Sequence, residues 1–488
     1  MIRFPDPKRD VLLLLSACML ATGEARAQEG QPGVQTQQQP AIPAQPQGST
    51  GITPDVTPSS EANGSLMERS NLLGDPGGVR AALARAGIGI ALQETSEVLG
   101  NSSGGSHRGA IYEGLTAATL TIDTSKLFGL AGGTVNISAY QVHGRGLTAN
   151  NIGNLDAVSS LEADRSLRLF ELWYEQSLFD GHASLRIGKQ AADQEFMISL
   201  YGSLFISSQF GWPPLPSLDL PGGANAYPLA TPGVRLALHP TDDLTILTAL
   251  YNGAPAGRSN ADPQALDGGG TRFDVDDGAF VITEVQYAIN HGDNAHGLPG
   301  IYRVGGYYNS NAVPDQRFDN AGRSLADPAS NGTPLLHRRD WGIYAIFDQL
   351  LLHGSTPSGG LGAFGRFMGT RGDRNLASVY VEGGLTWRGI AASRPDDTLG
   401  VAAGFTRIGG QARALDRDAQ RFSDALHPLR DGETDIELTY QAQITPWLAV
   451  QPDFQYVIHP GGRIADSVHP THILGDAAVE GLRIAVTF

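Results

Sequence analysis

Cysteine is all but missing from this chain. Cys18 is the single thiol among 488 residues, so no disulfide can form within the chain and no set of thiolates can hold a metal. Long apolar runs are missing as well. The stretch Val11 to Leu20 is about half the ~20 residues that a helix needs to cross a bilayer, and no later stretch is long enough, which excludes helical membrane spans. Basic clusters are absent too. Against 50 Asp and Glu there are 34 Lys and Arg, a net charge of -16, and without a basic face a nucleic-acid partner is excluded. Hydrophobic residues make up only 41% while 62 are glycine, a balance that suits many turns and close strand packing better than thick helical layers.

What is present begins with an export address. Arg3, Lys8 and Arg9, the apolar stretch, and then Ala25-Arg26-Ala27 supply the charge, greasy core and small-residue cleavage site of a secretory signal over residues 1–27. Leu15-Ser16-Ala17-Cys18 also resembles a lipobox, but the apolar run continues past Cys18, which favours plain cleavage after Ala27. Residues 28–64 are rich in Gln, Pro, Gly and Thr, with Gln37-Gln38-Gln39-Pro40 at their centre. Such a composition has too few apolar side chains to offset the entropy of ordering, so it reads as a disordered tether. A short helix is predicted within 65–87: Asp75 caps it, Pro76 suits its first turn, Val79, Ala82, Leu83 and Ala86 share a face, and Gly87 stops it. It is too short to be stable alone and is expected to pack on the periplasmic mouth of the large domain C-terminal to it.

Residues 88–488 alternate. Leu482, Ile484, Val486 and Phe488 point one way, and Gly481, Arg483, Ala485 and Thr487 the other, the period-two pattern of a strand with lipid on one face. Phe170, Leu172 and Tyr174 likewise oppose Glu171, Trp173 and Glu175; Leu185 and Ile187 oppose Arg186 and Gly188; Val450, Phe454 and Tyr456 oppose Gln451, Asp453 and Gln455. About sixteen strands are predicted, starting near Ile88, Ala110, Thr134, Arg165, Ala183, Gly233, Asp243, Ala279, Ile301, Arg338, Gly360, Ser378, Thr398, Glu433, Trp447 and Val479. Short turns such as Asp180-Gly181 and Thr445-Pro446 alternate with long stretches such as 191–231 and 311–337. The fold class is therefore all-β: a transmembrane antiparallel β-barrel of about sixteen strands in the outer membrane, short turns and both termini on the periplasmic side. A wall of that many strands encloses water, which a single domain of this length allows because its core is a wall and not a growing sphere.

Several segments are similar, in order and spacing, to one family. Leu73-Gly74-Asp75-Pro76-Gly77-Gly78-Val79-Arg80, Glu97-Val98-Leu99-Gly100-Asn101, Glu171-Leu172-Trp173-Tyr174-Glu175-Gln176, Arg394-Pro395-Asp396-Asp397-Thr398-Leu399-Gly400, Pro446-Trp447, Gln451-Pro452-Asp453-Phe454-Gln455-Tyr456 and His459-Pro460-Gly461-Gly462 resemble the carbohydrate-selective porins of the OprB type. Pro76 departs from the tryptophan usual there, which removes an aromatic from the mouth. The resemblance implies a sixteen-stranded channel, a homotrimer, that admits glucose and related small sugars by diffusion. A porin of general or anion selectivity is the alternative.

A sugar carries no charge, so a wall selects it with flat aromatic surface and with groups that exchange hydrogen bonds with hydroxyls. Trp173 between Glu171 and Glu175, with Arg186 on the next strand, puts aromatic, acid and base together. Arg235, Glu284, Glu437, Gln441 and Arg483 fall on predicted polar faces and extend the lining, and Trp212 lies in the longest loop, which is stiff enough to fold inward. No catalytic centre is predicted. Gly100-Asn101-Ser102-Ser103-Gly104 fits a nucleophile-elbow formula without the helix that should come after it, and His469 and His472 flank a proline without further ligands. No cofactor is expected beyond a candidate Ca²⁺ at the acidic loop Asp274 to Asp277, between neighbouring lipopolysaccharides.

Overall fold

Alternating side chains over segments of about ten residues do close into a barrel. The structure, a computed structural model, describes residues 64–488 except 260, 293–295, 355, 357–358, 424–426, 468 and 470. The export signal, Cys18 and nearly all of the tether lie outside the described residues.

The first nine strands are β1 (Ile88–Ser103), β2 (Gly109–Asp123), β3 (Gly133–Gly144), β4 (Ser166–Leu178), β5 (Ala183–Gln190), β6 (Thr231–Thr241), β7 (Leu244–Asn252), β8 (Ala279–Ile289) and β9 (Gly300–Asn309). A small hairpin, β10 (Val313–Asp319) with β11 (Pro334–His337), interrupts the wall. It resumes with β12 (Asp340–His353), β13 (Gly360–Thr370), β14 (Ala377–Arg388), β15 (Thr398–Ile408), β16 (Gly432–Thr445), β17 (Leu448–Ile458) and β18 (Ala477–Thr487). Each wall strand pairs antiparallel with its neighbours, and β1 against β18 closes the ring of sixteen, so the wall has no free edge. No helix among the described residues is long and apolar enough to cross a membrane.

The two faces differ in chemistry. Val98, Leu172, Ile187, Val234, Ile343, Leu438 and Ile484 are exposed on the outside, while Glu97, Arg235, Glu284, Asp348, Glu437 and Arg483 are buried on the inside. One orientation differs from the sequence reading. Phe170 is buried beside Glu171 because β4 carries an extra residue there: Glu171 pairs with Ser138 and Leu169 with Ala139, leaving Phe170 unpaired. This bulge exchanges the faces on either side of it, and Phe170 stacks inside the barrel on Tyr140 at 4.4 Å.

Connections also sort by rim. The rim that holds the start of β1 and the end of β18 has tight turns such as 242–243 and 446–447, and the opposite rim carries 145–165, 191–230, 253–278, 310–339, 409–431 and 459–476. The N-terminal helix Val79–Arg85 packs on β1 and starts after Pro76 instead of with it, because Gly77 and Gly78 turn the chain at φ 68° and 72°. Asp75 Oδ1 accepts from Arg80 N at 2.8 Å, and Gly87 stops the chain at φ 82°. Arg80 Nη2 donates to the carbonyl of Phe488 at 2.5 Å, so this helix clasps the last strand.

Two long connections do not stand out from the rim. The β3–β4 loop (145–165) and the β5–β6 loop (191–230) turn into the barrel, burying Ile152, Val158, Phe196, Tyr201, Phe205 and Phe210. A loop with no strand beside it must still satisfy its backbone, and here the wall does so. Glu284 accepts from Met197 N at 2.9 Å, Asp348 from Tyr201 N at 3.1 Å, and Glu437 from Ile206 N at 2.6 Å and Ser207 N at 3.0 Å. In return Arg366 Nη1 donates to Gly211 O at 2.9 Å and Gln451 Nε2 to Leu204 O at 2.8 Å.

Candidate functional site

The tight turn Phe179–Gly181 fixes the register of β4 against β5, and that register sets the site. Glu175 lies opposite Arg186, and Arg186 opposite Arg235 on β6. One pleat away, Trp173 faces Gly188, Gly188 faces Gly233, and Gly233 faces Tyr251. The two glycines let the neighbouring strands and the Tyr251 ring approach closely, leaving no room for a side chain at either position. A Cβ at Gly188, whose φ is 141°, would lie 2.6 Å from Trp173 Cα, and one at Gly233 would lie 2.3 Å from the Tyr251 ring.

Beside them the guanidinium of Arg186 lies 3.9 Å from the centroid of the Trp173 ring. Arg186 reaches Glu175 at 2.7 Å and Glu195 at 3.3 Å; Arg235 reaches the same two carboxylates at 2.7 Å each. Two cations and two anions thus share one square beside an indole face. The exposure is uneven and decides what a solute meets: the side chain of Arg235 is 3% exposed, whereas Glu175 and Glu195 are 24% and 21% exposed. The two carboxylates are thus the more open groups, with Arg186 at 13% between them and Arg235, and the guanidinia hold the carboxylates in place.

Between the two inward loops lies a cavity of about 310 Å³. Its lining alternates hydroxyls, among them Ser159, Ser203 and Ser207, with the rings of Phe205, Phe210, Trp212 and Tyr227. Asp193 and Gln194 also line it, and the next residue, Glu195, belongs to the Trp173 cluster.

A family model for the carbohydrate-selective porin, OprB family, matches residues 107–488. The chain belongs to the carbohydrate-selective porin family. Porin B of Pseudomonas aeruginosa is 26% identical over 443 residues, 86% of this chain and 91% of that protein. The putative porin QuiX of Acinetobacter baylyi is 24% identical over 453 residues, 86% of this chain and 94% of that protein. Among solved structures, the high-pH structure of Pseudomonas putida OprB superposes with a TM-score of 0.75 at 23% identity, covering 86% of this chain and 98% of that one. This OprB-family barrel is an outer-membrane channel, which makes the rim with short turns periplasmic and the rim with long loops external.

Within this porin the ten residues singled out in the sequence take several positions. Glu171, Trp173, Glu175, Arg186 and Arg235 come together. Glu171 Oε2 accepts from Trp173 Nε1 at 3.1 Å and its Oε1 from Ala191 N at 3.0 Å, so it orients the ring and starts the inward loop. Glu284 and Glu437 face the lumen with their oxygens taken by loop N–H groups, Glu284 also accepting from Tyr344 Oη at 2.9 Å. Gln441 meets Gln451 at 3.4 Å, and Arg483 pairs with Glu97. Trp212 lines the cavity and is held by Nε1 donating to Gly223 O at 3.1 Å. In the acidic loop, Asp274 pairs with Arg272 at 2.8 Å and Asp277 with Arg258 at 3.5 Å.

Sequence reasoning missed Glu195, which sits in a loop where no periodicity reports direction. It also passed over Asp348, Arg366 and Glu382, although each lies on the polar face of its strand, the signal by which Arg235 and Glu437 were found.

Proposed function

We propose that glucose and related small sugars cross this porin down their gradient, through the cavity between the inward loops and then past Trp173, Glu175, Arg186, Arg235 and Glu195, with weak binding and no covalent chemistry. The observation that carries this reading is the balanced square of charge laid against an indole. Two guanidinia and two carboxylates give an ion no net attraction, yet they offer hydroxyl groups both donors and exposed acceptors. The indole adds a flat surface for the C–H face of a pyranose. Membership of the family supports the same substrate class. A homotrimer is the assembly that the family resemblance brings, and native mass spectrometry in detergent reads it directly.

Planar-bilayer conductance tests the substrate. Millimolar glucose should reduce the ion current through the open channel while phosphate at equal concentration does not. A channel that ignores glucose and is blocked by phosphate is an anion porin, and the sugar reading fails.

A further inference from the structure

The external part of the lumen holds a knot of three carboxylates. Asp156 on the inward β3–β4 loop, with Glu433 and Asp435 two residues apart on the inner face of β16, each bring one oxygen to within 4.8 Å of the others. All three are buried. Among the described residues no Lys, Arg or His pairs with any of them.

Their hydrogen bonding is unequal. Glu433 accepts from Leu155 N at 2.8 Å and Gly461 N at 2.7 Å. Asp156 receives only the hydroxyl of Thr406, at 3.4 Å. Asp435 is 5% exposed, and its buried Oδ2 meets no donor. Carboxylate oxygens without a donor also occur at Glu113, Asp340 and Asp453, but among the described residues only Asp156, Glu433 and Asp435 bring three acidic ligand oxygens together. Carboxylates this close need a counter-charge or protons.

We propose that Asp156, Glu433 and Asp435 hold one Ca²⁺ ion, which braces the β3–β4 loop against the barrel wall. Three hard oxygens and no nitrogen or sulfur suit an alkaline-earth cation. Calcium takes ligands at about 2.3–2.6 Å, so one ion reaches oxygens up to about 4.8 Å apart, whereas magnesium at about 2.0–2.1 Å needs them closer and keeps most of its water. Asn154 Oδ1, two residues before Asp156, is another buried oxygen without a donor on the same turn. Since Asp156 also lines the cavity, the ion fixes one wall of the passage. The site is separate from the acidic outer loop, where Arg272 and Arg258 already provide cations, and it does not depend on which solute crosses.

The test uses the full chain folded in detergent and stripped with EGTA. In equilibrium dialysis with radioactive calcium, the wild type should bind one more ion per chain than Asp435→Asn, and calcium should raise the Tm of the wild type but not of this variant. Asp156→Asn, which alters the loop side and leaves β16 intact, should lose the same ion. Equal calcium binding by the wild type and both variants overturns the proposal. So does a wild-type Tm that ignores calcium and rises as the pH is lowered, because protons then neutralise the cluster.

Discussion

Replacing Trp173 by alanine should separate sugar contact from charge. The ring is half-buried, with Arg186 3.9 Å from its centroid. A pyranose packed against the part of the indole that Arg186 leaves uncovered buries ~40 Å² of C–H surface, which at ~25 cal/mol per Å² is ~1 kcal/mol, about a fivefold loss of glucose block. The charges do not change: Arg186 keeps Glu175 at 2.7 Å, and Arg235 keeps Glu175 and Glu195 at 2.7 Å. The reversal potential in a salt gradient should therefore stay where it is. Structural losses are local. The cation–π contact is worth about 1 kcal/mol and the hydrogen bond to Glu171 about 1 kcal/mol, while Glu171 still accepts from Ala191 N. The assay is single-channel current in planar bilayers, titrated with glucose, beside a reversal-potential measurement on the same channels. Glucose block within a factor of two of the wild type refutes the reasoning. A weaker block accompanied by a shifted reversal potential also refutes it, since the ring would then act through the charges.

Arg235→Met should do the converse: both carboxylates retain Arg186, but the square gains a net negative charge. At ~4 Å in water-like surroundings that charge is worth ~1 kcal/mol, about a fivefold rise in cation over anion passage; an unmoved reversal potential argues against it. Glu437→Gln leaves one carbonyl oxygen where two oxygens now serve Ile206 N and Ser207 N, so one buried N–H loses its acceptor at a cost of about 1–3 kcal/mol. Noisier open-channel current with strand content unchanged by circular dichroism is the expected result, and quiet wild-type current counts against the anchoring role. In the outer hairpin, burial opposes ionisation of Asp319, yet the N–H groups of Arg323, Asn331 and Ala321 and the Ser330 hydroxyl together hold its carboxyl well below the usual range. A lowered folded pKa stabilises the hairpin fully above the ordinary carboxylate pKa and is lost only as pH falls through the folded value. Hydrogen-exchange protection of 319–333, corrected for intrinsic rate, should thus be equal at pH 7 and pH 5, and opening between those values contradicts the assignment.

The wall was legible because lipid outside and water inside impose period two on every strand. All sixteen anticipated starts lie within two residues of those observed. What escaped were features that period two does not report. The bulge at Phe170 is one extra residue, invisible to a pattern that simply resumes on the other face. The β10–β11 hairpin and the helix Gly410–Phe422 lie in external loops, where no apolar face fixes direction. The Trp173 neighbourhood was legible for a different reason. A tight turn at Phe179–Gly181 sets which residues of β4 and β5 are opposite each other, so Glu175 and Arg186 can be paired by counting. Glu195, on the loop that returns across the lumen, has no such counting rule.

Charge on the inner face is therefore of two kinds, and hydrogen bonding tells them apart. Glu171, Glu284, Asp348 and Glu437 accept from loop N–H groups; their exchange for neutral residues acts on the passage through the position of the loop. Glu175 on the wall, joined by Glu195 from the β5–β6 loop, accepts from guanidinia that are themselves wall residues, and both carboxylates remain partly open to water. On the reading proposed above, the groups open to a sugar are the wall residues that the inward loops leave uncovered, together with Glu195 that one of them carries. The β5–β6 loop thereby decides which part of a largely polar wall stays open to solvent. The wall residues most like those of a binding site by charge alone are, where the loop covers them, the means by which it is held.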